Sequence, residues 1–405
     1  MAEIPLILIL VGLTAYTVLG GADFGAGLWE LTARGERGGA LRDHTHRAMA
    51  PVWEANHVWL IFVLVMAWTA YPTAFASIAS TLTIPLFLAA IGIILRGSSY
   101  ALRAGVSTPR EEGAISLVFA LSSVLTPFAL GTVIGGIASE RVPVGNAQGD
   151  PFSSWLNPTS ILIGTLAVAT AAYIAAVYLA ADATRMGKRD VAEAFRTRAL
   201  LSGVAAGAIA LAGPFVLHED APNVYDGLTS GAGLAALLVS ICAGVAALAL
   251  VARRRYGLAR VVAASAVAAI IAGWGIAQQD GFLRGLSIEE AAASDATITA
   301  VLIGFAAGLL ILIPSLFLLF RLVLTGRFDP AAPLPIGKQE NAVPPQPQNR
   351  INGAPIPFFV PAGLLALGAV VTFVADSAAI HAFSVSAMLI GAVATFVAVA
   401  SLDDS

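Results

Sequence analysis

Long apolar runs separated by short polar stretches occupy most of this chain. Nine runs approach the length of about 20 mainly apolar residues that an α-helix needs to cross a bilayer. They lie at 4–27, 53–70, 75–95, 114–138, 159–181, 199–217, 228–251, 258–277 and 298–320. Only helices and closed barrels satisfy every backbone hydrogen bond in lipid, and these runs have helical length. The pattern therefore predicts an all-α, polytopic membrane protein.

The chain changes character after the ninth run. Residues 325–357 are rich in proline and polar side chains, which is typical of a linker. Two more apolar runs follow, at 358–375 and 378–400. Their simplest interpretation is a C-terminal helical hairpin within 358–405, with no role that the sequence identifies.

Similar residues recur at nearly equal spacing and suggest an internal repeat. Asp23 and Asp182 lie near the ends of the first and fifth runs, and Tyr100 and Tyr256 follow the third and seventh runs. Coincidence is the alternative explanation. The repeat predicts two four-helix units and then a ninth transmembrane helix with its preceding loop, at 1–138, 139–277 and 278–324.

Lys and Arg residues are distributed unevenly over the predicted loops. Of the 22 in the chain, all except Arg141 and Arg284 lie after the first, third, fifth, seventh and ninth runs. Cytoplasmic loops carry the excess of Lys and Arg in membrane proteins. The distribution predicts an N-terminus outside, a cytoplasmic linker and a C-terminus inside if the last hairpin spans the membrane.

Composition supports the membrane assignment and excludes several other classes. Hydrophobic residues make up 58% of the chain and charged residues 12%, and the mean hydropathy is +0.84. The single cysteine, Cys242, excludes a disulfide framework or a cysteine-based metal site built by this chain alone. Because the basic clusters lie in short loops, membrane orientation explains them better than nucleic acid does. The first run has no basic region before it, so we interpret it as a retained helix.

Two acidic residues lie at the edges of the first two runs. Asp23 is late in the first run and Glu54 is early in the second, so we expect both near the cytoplasmic face. Intramembrane acids often handle protons. The alternatives are that Glu54 complements a helix dipole and that Asp23 is a lone polar residue satisfied by neighbours. Glycines surround Asp23, and the spacing of Gly21 and Gly25 predicts close approach of another helix, with Asp23 facing protein.

Other polar residues extend this candidate site. His57 lies one helical turn after Glu54, where an imidazole is suited either to a proton relay or to a satisfied interfacial position. Arg96, Tyr100 and Arg103 share one helix face if the third helix continues that far. One explanation is that the two arginines snorkel to the membrane surface. The alternative is that they supply a counter-charge to an acid, either Glu54 or a residue of a partner subunit.

The histidines give no secure haem or metal site. A bis-histidine haem needs two imidazoles at matching depth on facing helices. No pair meets this securely among the five histidines, His44, His46, His57, His218 and His381, so we expect this chain to bind no haem itself. His44 and His46 fall in an arginine-containing loop with no adjacent third ligand, and a solvated loop is the preferred interpretation over a metal site.

Several motifs in order resemble one family. The segments GGADFGAGLWEL, VWEANHVWLIF, AYPTAFA, LRGSSYALR and WLNPTSILIGTLAVATAAYIAAVYLAADA are similar to subunit II of the cytochrome bd quinol oxidases, particularly the cyanide-insensitive branch. The resemblance covers roughly residues 1 to 325. It implies two four-helix bundles plus extra helices, in a bacterial inner-membrane complex.

The resemblance also implies partners and cofactors. A homologous subunit I would carry the quinol site, two b-type haems and haem d, or a third b-type haem in its place. The complex would oxidise quinol and reduce dioxygen to water with cytoplasmic protons, without pumping, and this chain alone would not be catalytic. A small single-helix accessory subunit and membrane lipid are further expected partners, and nucleic acid is not.

Particular residues match the family's motifs. Glu54 matches the acid of a W-D/E-x-N motif at a cytoplasmic proton entrance along the subunit interface, beside Trp53 and Asn56. Asp23 matches the acid of a G-x-D-x-G motif, and Arg96 matches the arginine that closes helix 3. The resemblance and the helical spacing of His57 together predict a proton pathway through Glu54, Asp23 and His57. The motif positions and the stripe on the third helix together give five candidate interface or charge-compensating residues: Arg96, Tyr100, Arg103, Trp53 and Asn56.

The sequence departs from the family in two places. Some members have an acid after the aromatic residue that follows the arginine, but Ala101 stands there in this chain, which puts a second interface carboxylate in doubt. The linker and terminal hairpin extend beyond the usual family length.

A proton-coupled secondary transporter is the rival class. It would show broken helices near mid-membrane, and Pro85 and Pro127 are candidate breaks. A purely structural scaffold is a third hypothesis, which differs from the first only if Glu54 is dispensable.

Overall fold

The computed structural model describes residues 1–33, 35–49, 53–103, 109–278 and 281–324. The predicted linker at 325–357 and hairpin at 358–405 therefore lie outside the described residues, as does His381.

Helices form almost all of the described part. In chain order they are α1 Glu3–Thr32, α2 Gly35–Met49, α3 Trp53–Ala70, α4 Pro72–Thr81, α5 Thr83–Arg103, α6 Pro109–Ala138, α7 Pro158–Arg185, α8 Arg189–Asp220, α9 Pro222–Leu228, α10 Gly231–Ala252, α11 Tyr256–Ala277, α12 Ile288–Ala291 and α13 Asp295–Leu324. Two short antiparallel strands, β1 Gly281–Leu283 and β2 Leu286–Ser287, form a hairpin before α12.

The described helices confirm an all-α, polytopic membrane protein. By length and composition eight of them are able to cross a membrane, and a ninth span results if the bent pair α3 and α4 is counted as one. All eight spans overlap predicted apolar runs, and their ends agree to within about ten residues. The peripheral helix α13 packs on α3, where Phe305 stacks on Phe62 with ring centroids 4.9 Å apart.

The predicted third span, 75–95, was wrong in position. Residues 72–81 form the separate helix α4, which is bent by 120° from α3, and the spanning helix α5 begins only at Thr83. Pro72 explains the break, because the residue before a proline is driven away from helical dihedrals. Tyr71 accordingly has φ −135° and ψ 62°, and Pro72 begins the new helix.

The first predicted inner loop contains a helix, α2, that the apolar pattern did not reveal. Its sequence is mostly charged and polar, so it offers no apolar run. Leu41, His44 and Thr45 of this helix are nevertheless buried, and Leu41 joins the same core as α7, α8, α10 and α11. The Arg42 guanidinium also donates to the carbonyl of Ala33 at 2.8 Å. Tertiary contacts therefore support this helix where its apolar content is low.

Small residues let the central helices approach closely. A Cβ built on Gly25 of α1 would lie 2.0 Å from the carbonyl oxygen of Ala171 in α7. Between α6 and α7, Gly131 faces Gly164 at similarly short range. Without a hydrophobic drive between helices in lipid, such contacts supply much of the packing energy. The prediction of close helix approach beside Asp23 is confirmed.

Two short helices occupy corresponding places in the two halves of the chain. Helix α4 follows α3 and helix α9 follows α8, and each begins with a proline, Pro72 or Pro222. The preceding residues have nearly the same dihedrals, φ −135° and ψ 62° at Tyr71, and φ −145° and ψ 61° at Ala221. This correspondence supports two four-helix units, which stay a prediction.

We expect Gly25→Ala to destabilise the protein, because the added Cβ would push α1 away from the backbone of α7. Overpacking of this kind costs about 1–3 kcal/mol. Thermal unfolding of the purified protein measures the change. The matched control is Gly207→Ala in α8, where a Cβ meets no atom within 4 Å. Equal unfolding temperatures for the two variants would contradict the close contact.

Candidate functional site

A fully buried ion pair joins α1 to α5. Asp23 and Arg96 are both 0% exposed. Arg96 donates from Nε to Asp23 Oδ2 at 2.9 Å and from Nη2 to Asp23 Oδ1 at 2.7 Å, and Nη2 also reaches the Asp23 carbonyl at 2.6 Å. Two parallel bonds of this kind are the strongest geometry for a guanidinium and a carboxylate. Arg96 is thus the counter-charge of Asp23.

Neighbouring side chains complete the surroundings of this pair. Arg96 Nη1 donates to the hydroxyl of Ser123 in α6, and the Tyr100 hydroxyl donates to Asp23 Oδ1 at 3.2 Å. The guanidinium carbon lies 4.2 Å from the ring centroid of Phe119 and 5.1 Å from that of Phe24. Aromatic faces attract cations, so the site compensates the buried arginine with hydrogen bonds, an acid and rings. We call Asp23, Arg96, Tyr100 and Ser123 the buried charge network.

Glycine is required at two positions for the network to form. A Cβ on Gly27 of α1 would lie 2.0 Å from Ser123 Oγ and 2.8 Å from Arg96 Nη1. A Cβ on Gly92 of α5 would lie 2.2 Å from Thr126 Oγ1 of α6. Both glycines therefore permit α1, α5 and α6 to meet around one guanidinium.

The first turns of α3 extend the polar region along α1. The ring of His57 lies 5.9 Å from that of Phe24 and 6.1 Å from that of Tyr16, between centroids. Asn56 is buried as well. His57 therefore lies beside the segment of α1 that contains Asp23, whereas its relay role stays a prediction.

Three candidate residues cannot be placed. The side chains of Trp53, Glu54 and Arg103 lie outside the described part of the structure, although helix α3 begins at Trp53 and α5 ends at Arg103. Helix α5 continues through Tyr100 to Arg103, so Arg96, Tyr100 and Arg103 lie on one helix, as a shared face requires. Arg96 does not snorkel to the surface, because its guanidinium is enclosed within the bundle.

Helix α2 places two histidines that sequence reasoning assigned to a solvated loop. That interpretation was wrong for His44, which is 1% exposed and whose Nε2 lies 3.2 Å from the Leu179 carbonyl oxygen and 3.7 Å from Asp182 Oδ2. The ring of His46 stacks on Tyr100 at 5.8 Å. Helix α2 therefore contacts the buried charge network through His46 and α7 through His44.

The sequence did not predict the role of Ser123, the contact of His46 with Tyr100, or a second ion pair near the far ends of α6 and α8. Arg141 binds Asp220 through two bonds of 3.2 and 2.6 Å, and Asp220 also accepts from the Thr159 backbone N–H at 3.0 Å. A conspicuous signal was present, because Arg141 is one of two basic residues on its side of the predicted membrane.

The histidines of the described part lie in separate surroundings. His44 faces α7, His46 faces Tyr100, His57 lies near Tyr16 and Phe24, and His218 lies beside Glu219 and Tyr225. Among the described residues, no three His, Cys, Asp or Glu side chains are grouped as metal ligands.

Comparisons with known proteins agree with this fold. A curated relative from Bacillus subtilis (strain 168), provisionally named cytochrome bd menaquinol oxidase subunit II, is 21% identical over 237 residues, which is 57% of this chain and 67% of the relative. A solved structure, that of bd oxidase from Geobacillus thermodenitrificans, matches with a TM-score of 0.66 and 26% identity. The match covers 80% of this chain and 98% of that one.

The profile of one family, cytochrome bd terminal oxidase subunit II, matches residues 1–323. That span includes the buried charge network and every described helix up to α13. The chain therefore belongs to the cytochrome bd terminal oxidase subunit II family.

Proposed function

We propose that this chain is the haem-free subunit II of a membrane quinol:dioxygen oxidoreductase, which supports a haem-bearing subunit I and contributes a cytoplasmic entry path for protons. The observation that carries the proposal is the family match over residues 1–323. The similar Geobacillus protein is a bd oxidase, and the Bacillus relative bears the name of a menaquinol oxidase subunit.

The haems and the quinol site belong to subunit I in this proposal. A bis-histidine haem needs two imidazoles that face each other, and the four described histidines have different neighbours and show no such pairing. Two b-type haems and haem d, or a third b-type haem, would carry electrons from quinol to dioxygen in the partner. This chain by itself would not be catalytic.

The reduction of dioxygen consumes protons, and the surrounding protein must deliver them. Each quinol gives up two electrons and two protons as it becomes quinone, and each dioxygen takes up four of each to become two water molecules. If the protons released and the protons consumed belong to opposite sides of the membrane, the reaction builds a gradient without a pump. An acid at the cytoplasmic entrance serves the side where protons are consumed.

The candidate acids have unequal roles in our proposal. A proton carrier must exchange its proton with water, but Asp23 is enclosed and held by Arg96 and Tyr100. Glu54 lies in the first turn of α3, one turn before His57. We therefore assign proton entry to Glu54, a relay position to His57, and to Asp23 the role of a fixed charge that holds α1 and α5 together beside the route.

Burial also limits which of the candidate interface residues can contact subunit I directly. Arg96 and Asn56 are buried within this chain, so they act on subunit I through neighbouring residues rather than by direct contact. Tyr100 is partly buried and, with Trp53 and Arg103, remains a candidate for the interface itself. A small single-helix subunit and membrane lipid complete the proposed complex in the bacterial inner membrane, with the N-terminus outside and the C-terminus inside.

A proton-coupled secondary transporter is less well supported. Its expected sign is a helix broken near mid-membrane. Pro85 lies in the first turn of α5 and Pro127 lies inside the continuous helix α6. The breaks at Tyr71 and Ala221 in the described residues fall at the ends of α3 and α8, after 18 and 32 helical residues, rather than within those helices.

We expect Glu54→Gln to slow quinol-dependent oxygen uptake by about tenfold or more, within the range of effects of a lost proton donor. Oxygen uptake is measured on the assembled complex with its haem content checked. Asp190→Asn is the matched control, because Asp190 is also a first-turn acid of a spanning helix. Unchanged turnover in Glu54→Gln would reject proton delivery and leave the helix-dipole explanation.

Removing one charge of the buried pair has a different expected result. Asp23→Asn or Arg96→Gln leaves the other charge buried and should lower the free energy of unfolding by about 3–5 kcal/mol. The double variant should cost less than the sum of the single variants.

Thermal unfolding and haem content per complex measure this effect. Glu193→Gln, which breaks the surface pairs with Arg196 and Arg254, is the control and should cost at most about 1 kcal/mol for each pair. If Asp23→Asn assembles with full stability and full haem content but loses turnover, Asp23 carries protons and our division of roles is wrong.

A further inference from the structure

A cleft of about 500 Å³ opens where the end of α7 meets the turn between α10 and α11. Its charged and apolar lining includes Asp182, Arg185, Arg254, Arg255, Leu258 and Arg260. We call it the arginine cleft. It is separate from the buried charge network, and its lining comes from helices that are able to span a membrane.

The positive charge of the cleft exceeds what its own acid neutralises. Asp182 already accepts two bonds from Arg185, from Nε at 3.1 Å and from Nη2 at 2.9 Å. Arg254 lies 3.2 Å from Glu193, but both side chains are exposed, and such pairs are weak. Acidic groups of the chain therefore leave the cleft with a net positive charge.

Two arginines have donors available for a ligand. Arg260 donates Nη2 to the Tyr178 carbonyl at 2.8 Å and lies over the Tyr178 ring, but its buried Nε has no hydrogen-bond partner within the described part of the chain. Among the described residues, the side chain of Arg255 likewise makes no hydrogen bond or ion pair, although its backbone N–H donates to the Leu250 carbonyl at 2.9 Å. A buried donor without a partner is unfavourable unless a ligand or water satisfies it.

The backbone of the cleft gives a second, independent observation. Arg254 has φ +58°, a left-handed conformation that favours glycine. The end of α7 closes with the same pair of bonds, Lys188 N–H to Ala183 O and Gly187 N–H to Thr184 O, and has Gly187 at the equivalent position. Helix α10 instead accepts arginine there, although glycine would be less strained. The backbone conformation of the turn favours glycine, so we attribute the presence of arginine at this position to its side chain.

From these observations we propose that the arginine cleft binds the phosphate of an anionic phospholipid head group. Planar guanidinium groups bind phosphate oxygens in a bidentate manner. Basic pockets between membrane-spanning helices are suited to anionic head groups, and the excess of arginine places this end of the helices at a membrane surface.

Apolar surface beside the cleft fits the acyl chains of the same lipid. Leu258 lines the cleft and is 56% exposed, and Val261, about one turn further along α11, is 64% exposed. Both side chains lie on the outer face of α11. A lipid whose phosphate sits in the cleft would cover them, whereas inorganic phosphate would not.

The test is a lipid titration of the full chain, purified from membranes in mild detergent with its partners. Thermal unfolding is followed as phosphatidylglycerol, phosphatidylcholine or inorganic phosphate is added. We expect saturable stabilisation by phosphatidylglycerol and at least about a fivefold weaker response to the other two, since charge-assisted bonds and apolar contacts are then combined.

Variants locate the effect. Arg255→Gln/Arg260→Gln should raise the half-saturating phosphatidylglycerol concentration by about tenfold, as expected for lost charge-assisted bonds. Arg255→Gln alone should give part of this effect and serves if the double variant fails to fold. Arg189→Gln/Arg253→Gln removes the same charge from exposed arginines that do not line the cleft, and its half-saturation should stay at the wild-type value.

Arg254→Gly separates binding from folding. Without lipid, this variant should raise the unfolding temperature, because glycine adopts the left-handed backbone conformation without strain. With lipid, it should weaken the response to phosphatidylglycerol. The proposal is overturned if phosphatidylcholine stabilises equally, if inorganic phosphate reproduces the effect, or if both arginine pairs shift half-saturation alike. Since the readout is lipid binding rather than turnover, its failure would leave the proposed oxidase role untouched.

Discussion

The rest of the bundle depends on the enclosure of one ion pair. Taking Asp23 and Arg96 out of water is costly, and only close geometry and further hydrogen bonds offset that cost. Two bonds between the charged groups, the Ser123 and Tyr100 hydroxyls and the ring of Phe119 supply this compensation. The same requirement explains why Gly27 faces the network and Gly92 faces Thr126, one turn from Ser123 on α6, because larger residues there would hold the helices apart.

This enclosure separates two tasks that the sequence alone assigned to similar acids. A carboxylate fixed by a guanidinium holds helices in position, whereas a proton carrier needs access to water. Asp23 has the first environment, and the first turn of α3 is the place that the sequence offers for the second. Helix α2 adds a cover on one side, since His46 stacks on Tyr100. In our proposal, the network fixes the positions of α1 and α5 beside the proton route.

Much of this architecture was predictable, because lipid imposes simple rules on length and polarity. The spans followed from apolar runs, and the glycines around Asp23 predicted its burial. The pairing of Asp23 with Arg96 did not follow, because residues distant in sequence meet only through tertiary packing. Helix α2 was not predicted, because buried contacts of Leu41 and His44 support it and no apolar run marks it. The third span was predicted at the wrong position because the prediction did not treat Pro72 as a helix boundary.

The most direct test of the proposed role as an oxidase subunit is to tag this chain, purify it in mild detergent from its native membrane and record a reduced-minus-oxidised optical spectrum beside a protein gel. We expect a second large hydrophobic subunit and haem b signals, with a chlorin band if the partner carries haem d. A single, haem-free protein that survives gentle extraction would contradict the assignment as an oxidase subunit.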